Sequence, residues 1–185
     1  MRGLRRILVL GSPGAGKSYF ANRLAAMLEL DVIHLDALFW RPGRIPTPVE
    51  EWRATVSSLV RRDAWVMDGT YEQSLDIRVP AADAVFLIDK SKASCLWRIV
   101  RRKAVQYGTV RPDAPHGHGG GLDWQLIKYI WKFPTASRPL IVEKVKELGR
   151  DPLFLTFNGI RGCSEFTQAL AESMQTVAGT QRTEA

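Results

Sequence analysis

The chain has 185 residues, with 26 Lys+Arg against 19 Asp+Glu and a formal net charge of +7 at pH 7. Apolar residues make up 45% and charged residues 24%, a globular balance that excludes a largely disordered, collagen-like or coiled-coil chain. The longest aliphatic-aromatic runs are about five residues, as in 84–88, far short of the roughly 18 that span a bilayer. The apolar stretch after the basic start is too short for a signal-peptide core. Two cysteines, Cys95 and Cys163, make no disulfide framework, so reduced thiols and a cytoplasmic location are expected. The positive balance leaves open two partners: nucleic acid, or polyanionic small molecules such as nucleoside triphosphates.

In chain order, residues 4–10 (LRRILVL) read as a buried parallel strand. A glycine-rich turn follows, then a helix over 18–28 with Phe20, Leu24, Met27 and Leu28 on one face. Residues 32–35 predict a second strand. Thr47, Pro48 and Glu50 predict a capped helix start. That helix runs to about residue 62, burying Val49, Trp52, Val56, Leu59 and Val60. Strands are expected at 64–67 and 84–88, and a helix at 91–106. Residues 108–121 hold five Gly, two Pro and two His without apolar period, and read as a long loop of the lid type. Helices at 122–133 and 137–148, a fifth strand at 153–157 and a helix at 164–177 complete the chain, with 179–185 a flexible tail. Strands alternating with helices imply right-handed crossovers and a parallel sheet covered on both faces, in one domain over 1–185. Ligands then bind at the carboxyl ends of the strands.

Gly11, Ser12, Pro13, Gly14, Ala15, Gly16, Lys17 and Ser18 fit G-x-x-x-x-G-K-[ST], with a strand leading in and a helix leading out. Chance yields such a match in a chain of this length at a rate below about one in a hundred. The glycines let backbone N–H groups converge on phosphate oxygens, and the helix start adds unpaired donors and a positive dipole end. Lys17 reaches the β- and γ-phosphates, and the Ser18 hydroxyl is a hard-oxygen ligand for Mg²⁺.

Asp36 and Asp68 are expected at the ends of the second and third strands, at the edge where the phosphate loop lies. A carboxylate there can hold a magnesium-bound water or take a proton from an attacking hydroxyl. Gly69 beside Asp68 would let a substrate approach closely. Arg98, Arg101 and Arg102 share one helix flank and suit a triphosphate. Arg111 enters the lid loop, Arg78 is placed to clamp an anionic acceptor, and Arg138 opens a late helix. Trp52 and Trp65 read as core, and Trp40 beside Phe39 as a wall of the acceptor pocket. His116 and His118 lack further ligands nearby, so a zinc-type site is not expected.

The phosphate loop, residues 34–40 (HLDALFW), 65–71 (WVMDGTY), Ala82-Asp83 before 85–89, and the run from Leu96 to Arg102 resemble the adenylate-kinase-related DNA topology modulation proteins. More broadly, the chain is similar to small P-loop kinases of the adenylate and shikimate kinase type. The resemblance spans roughly residues 4–160. It implies a three-layer α/β P-loop NTPase fold with a five-stranded parallel sheet, an acceptor-binding segment at about 36–63 and a lid at about 107–121. Arg98 and Arg102 match the family's nucleotide-contacting pair, Asp68-Gly69 its Asp-Gly, and Asp36 the acceptor-binding Asp of the shikimate-kinase type. Adenylate kinases continue Asp-Gly with Phe-Pro-Arg, where this chain has Thr70-Tyr71-Glu72. The expected activity is transfer of phosphate from Mg-ATP to a small, nucleotide-like or other acceptor. The alternative is a non-catalytic ATP-binding regulator associated with nucleic acid, and an ATPase using water is a third. No DNA-reading motif and no membrane partner are visible.

Overall fold

In the computed structural model, the described residues are 4–105 and 124–183. The predicted lid at 107–121, with Arg111, His116 and His118, lies outside them.

Strand β1 (Arg6–Gly11) runs into helix α1 (Lys17–Leu28), and β2 (Val32–His34) into a short helix α2 (Leu35–Phe39). A small hairpin, β3 (Trp40–Arg41) and β4 (Ile45–Pro46), leads to α3 (Val49–Leu59). Then come β5 (Trp65–Asp68), α4 (Leu75–Arg78), β6 (Ala84–Asp89) and α5 (Lys92–Val105). After the undescribed stretch follow α6 (Trp124–Lys132), α7 (Ser137–Leu148), β7 (Leu153–Asn158) and α8 (Gly159–Thr183). The main sheet has five parallel strands in the order β2-β5-β1-β6-β7. The central strand β1 is where chain order reverses direction across the sheet, the topological position at which such folds bind ligands.

Strand periodicity builds the three layers. Leu8 and Leu10 of β1 join Val85, Leu87 and Met67 on one face, against Trp52, Val56 and Leu59 of α3 and Ile141 and Val145 of α7. Ile7 and Val9 join Phe86, Ile88 and Val66 on the other, against Phe20 and Leu24 of α1, Ile99 of α5 and Leu170 of α8. A strand buried on both faces alternates between two cores rather than between core and water, so its sequence reads as an unbroken apolar run. Phe20, Phe86, Phe157 and Phe166 form a cluster with centroids 5.3–6.4 Å apart, Phe20 meeting the other three edge-to-face. At the amino edge, Asp83 accepts the amides of Arg5 and Arg6 at 2.9 and 2.8 Å, which anchors the entry to β1.

Several local expectations change. The capped start before α3 does not form: Pro48 is the N-cap position, without a side-chain cap bond. Thr47 instead donates its hydroxyl to the Phe39 carbonyl at 2.6 Å and closes the β3–β4 hairpin. Val49 is exposed rather than buried, one turn from the core stripe. The last helix begins at Gly159 and runs to Thr183, taking in most of the predicted tail. Trp52 and Trp65 are fully buried, as expected of core residues. No helix among the described residues is long and apolar enough to cross a membrane.

Candidate active site

The phosphate loop leaves the central strand in a conformation that only glycine tolerates at its key points. Gly14 has φ +81°, and a Cβ there would sit 2.6 Å from the Cys95 carbonyl oxygen. A Cβ on Gly11, at φ +143°, would meet the Ile88 carbonyl at 2.5 Å. The loop is therefore packed backbone-to-backbone against β6 and α5, leaving its amides to point elsewhere. The Ala15 amide closes the turn onto the Ser12 carbonyl at 3.1 Å.

Helix α1 starts at Lys17 with no side-chain cap and no acidic residue in its first turn. A helix of 12 residues with an uncapped amino end has free N–H donors where a phosphate would lie. Lys17 Nζ is 3.3 Å from the Ser12 carbonyl, folded over the loop, and Ser18 is half-buried in the first turn. Arg98 of α5 reaches the same loop, with Nη1 3.4 Å from the Ala15 carbonyl. Arg101 and Arg102 lie exposed one turn further along α5. Gly11 to Ser18 and Arg98 thus converge.

Asp68 ends β5 and is 5% exposed. Its Oδ2 is 3.1 Å from His34 Nδ1, which ends the neighbouring strand β2 in direct register. Its Oδ1 is buried without a hydrogen-bond partner among the described residues. Native carboxylates rarely leave a buried oxygen unpaired, and a ligand or water is the usual partner. Asp36 is not at a strand end: β2 stops at His34, and Asp36 sits exposed in the first turn of α2. There it accepts the Tyr71 hydroxyl at 2.5 Å.

The turn after β5 explains Gly69 and Arg78 differently from the sequence. A Cβ on Gly69 would be 2.9 Å from Leu35 Cβ and 3.1 Å from the Tyr71 ring, so its small size admits these neighbours rather than a substrate. Arg78 is fully buried. It donates to the carbonyls of Gly69 (2.8 Å), Thr70 and Tyr71 (2.9 Å). Burial pulls its guanidinium below the ordinary arginine value, to about 10. Arg78 holds the turn, and so does not serve as the clamp expected for an anionic acceptor. Arg138 pairs with Asp89, at the end of β6, at 2.6 Å.

Around this turn the rings of Phe39, Trp40, Trp52 and Tyr71 pack together, with Phe39–Tyr71 centroids 4.5 Å apart and Phe39–Trp40 5.0 Å. Trp40 is half-buried there, and the Arg44 guanidinium lies 5.8 Å from its ring centroid. Tyr129 of α6 donates to Glu72 at 3.0 Å. Burial, and then the charges of Asp36 and Asp68, push the Tyr71 hydroxyl far above its ordinary range. Burial and Glu72 do the same to Tyr129. His34, Thr70, Tyr71, Glu72 and Tyr129 had no role assigned from sequence. The one local signal is for His34, which ends a strand two residues before Asp36.

The donor set fits a hard cation carried in with phosphates: the Ser18 hydroxyl and the unpaired Asp68 oxygen are both oxygen ligands. Among the described residues, no group of three His, Cys, Asp or Glu could cage a metal unaided.

No protein-family model and no curated protein matches the chain, so the narrower resemblance to the DNA topology modulation proteins rests on the motifs alone. Solved structures do match. A shikimate kinase from Bacteroides thetaiotaomicron aligns with TM-score 0.57 at 15% identity, over 94% of this chain and 99% of that one. A shikimate kinase from Acinetobacter baumannii, in complex with shikimate, aligns with TM-score 0.55 at 16% identity, over 94% of each chain. A gluconokinase from Sinorhizobium meliloti aligns with TM-score 0.51 at 18% identity, over 95% of this chain and 98% of that one. The chain therefore has the α/β fold of the small P-loop kinases, with a five-stranded parallel sheet and the phosphate loop on its central strand.

Proposed function

We propose that the protein is an ATP-dependent phosphotransferase that moves the γ-phosphoryl group of Mg-ATP to a hydroxyl of a small acceptor. The observation that carries this reading is the pairing of two features at the same sheet edge. One is the glycine-built loop before the uncapped start of α1; the other is Asp68, buried at the end of the adjacent strand with Oδ1 unpartnered.

The 11–18 backbone cradles the phosphates through the amides that its own turn leaves unused, and Lys17 and Arg98 neutralise charge on the transferred group, with Arg102 one turn behind. Bound magnesium would supply further neutralisation of phosphate charge, with the Ser18 hydroxyl as the chain's oxygen donor. Asp68 orients the acceptor hydroxyl and takes its proton at Oδ1. The acceptor oxygen bonds to the γ-phosphorus, the bond from that phosphorus to the β–γ bridging oxygen breaks, and ADP leaves with those electrons. His34 holds the other Asp68 oxygen and fixes the carboxylate plane. Most of the barrier reduction comes from positioning and charge, because this chemistry asks little covalent work of the protein.

The test is ADP release from Mg-ATP across panels of hydroxyl compounds, read beside calorimetric ATP binding. Lys17→Ala is expected to lower turnover on the order of 10²–10³-fold. Asp68→Asn is expected to lower it about 10²–10⁴-fold while ATP still binds. ATP binding without turnover on any acceptor, joined to DNA affinity that falls steeply with salt, would favour the nucleic-acid-associated regulator instead.

A further inference from the structure

The acceptor side of the site is built from hydrogen-bond acceptors. Tyr71 and Tyr129 donate their only protons to Asp36 and Glu72, so both phenols have just lone pairs left to offer. Asp68, nine-tenths buried, contributes an oxygen that no described residue partners. These groups share one turn: Tyr71 and Glu72 are chain neighbours three and four residues past Asp68, Tyr71 is bonded to Asp36 and Glu72 to Tyr129. Aromatic surface from Phe39, Trp40 and Tyr71 borders it.

Among the described residues, these arginines are committed. Arg78 is fully buried on three carbonyls, Arg53 holds Asp76 at 2.7 Å, Arg138 holds Asp89, and Arg41 pairs with Glu51. Arg44 lies against the Trp40 ring. An acceptor bearing a carboxylate or phosphate would bring lone pairs and like charge to three carboxylates, Asp36, Asp68 and Glu72. An ammonium brings three donors and the opposite charge, and aromatic faces attract it further.

We infer that the acceptor is a hydroxyl compound carrying an amine in place of an acidic group, an amino sugar or amino alcohol in chemical class. The hydroxyl part rests on the phosphotransferase reading; the charge preference belongs to the pocket and can be read by binding alone. It departs from an acidic acceptor such as the shikimate bound in one structure of the same fold.

The experiment uses two probe series that step from cation through neutral to anion: glucosamine, glucose and glucuronate, and serinol, glycerol and glycerate. Saturable change in tryptophan fluorescence is followed with and without Mg-ADP, and ADP release is followed with Mg-ATP. The amines are expected to bind most tightly and the acids least. Asp36→Asn and Glu72→Gln, each checked for fold by circular dichroism, are expected to weaken amine binding about ten- to a hundredfold while leaving the neutral compounds nearly unchanged. Tighter binding or faster turnover of the acids overturns the inference. So does a protein that binds Mg-ATP yet shows no saturable response to either amine. Amine binding together with failure to bind Mg-ATP would sink the phosphotransferase reading and leave the charge preference standing.

Discussion

The Thr70 hydroxyl donates to the Gly11 carbonyl at 2.8 Å and accepts the Gly11 amide at 3.1 Å. One side chain thereby ties the first residue of the phosphate loop to the turn that follows Asp68. Arg78 holds the carbonyl side of that same turn, and Tyr71 carries it on to Asp36. The phosphate loop and Asp36 are thus linked by a chain of polar contacts, buried at Thr70 and Arg78 and exposed at Asp36.

Replacing Thr70 by Val keeps the shape and removes both bonds. Stability in urea unfolding is expected to fall by about 1–3 kcal/mol, since buried backbone groups lose their partner. Thr70→Ser should retain most of that stability. Nucleotide affinity should fall with Thr70→Val, because Gly11 opens the loop.

Gly14→Ala places a methyl 2.6 Å from the Cys95 carbonyl at φ +81°, where neither backbone can yield cheaply. Nucleotide binding by calorimetry is expected to be abolished. Gly43→Ala is the control: its φ is +78°, but nothing lies within 4 Å. It should cost about 1 kcal/mol of stability and leave nucleotide binding intact.

Arg78→Met removes the donors of three consecutive carbonyls from a fully buried site. A loss of at least about 3 kcal/mol is expected in denaturant unfolding. Arg78→Lys should recover only part, since an ammonium lacks the fork that spans adjacent carbonyls.

The two raised tyrosines make stability fall at high pH. Folded Tyr71 and Tyr129 keep their protons while unfolded tyrosine ionises near pH 10, so the unfolded chain is favoured as pH climbs above about 10. Below that point their contribution is complete. In an alkaline titration followed by tyrosinate absorbance, part of the signal should appear only with unfolding. Tyr71→Phe should shrink that delayed part.

The fold was legible because its signals are local. The buried strands at β1, β5 and β6 are continuous apolar runs, and the glycine-lysine-serine spacing of the loop carries its chemistry in eight consecutive residues. Asp68 could be placed at a strand end for the same reason. The hairpin of Trp40–Arg41 with Ile45–Pro46 was not legible: two-residue strands have no period, and Thr47 reads equally well as a helix cap or as a hairpin closure. Arg78 misleads for a related reason, since its charge suggests a ligand and only its surroundings reveal three carbonyls.

By itself, the sequence determined the layered α/β architecture, the glycine-built loop after its first strand and one carboxylate at a strand end, because each follows from side-chain period or from contiguous spacing. Only the tertiary structure decided that His34 meets Asp68, that Tyr71 reaches Asp36 across 35 positions, and that Thr70 grips Gly11 across 59. These contacts join residues distant in the chain, and strand register and the path of one turn bring them together, properties that no local pattern encodes.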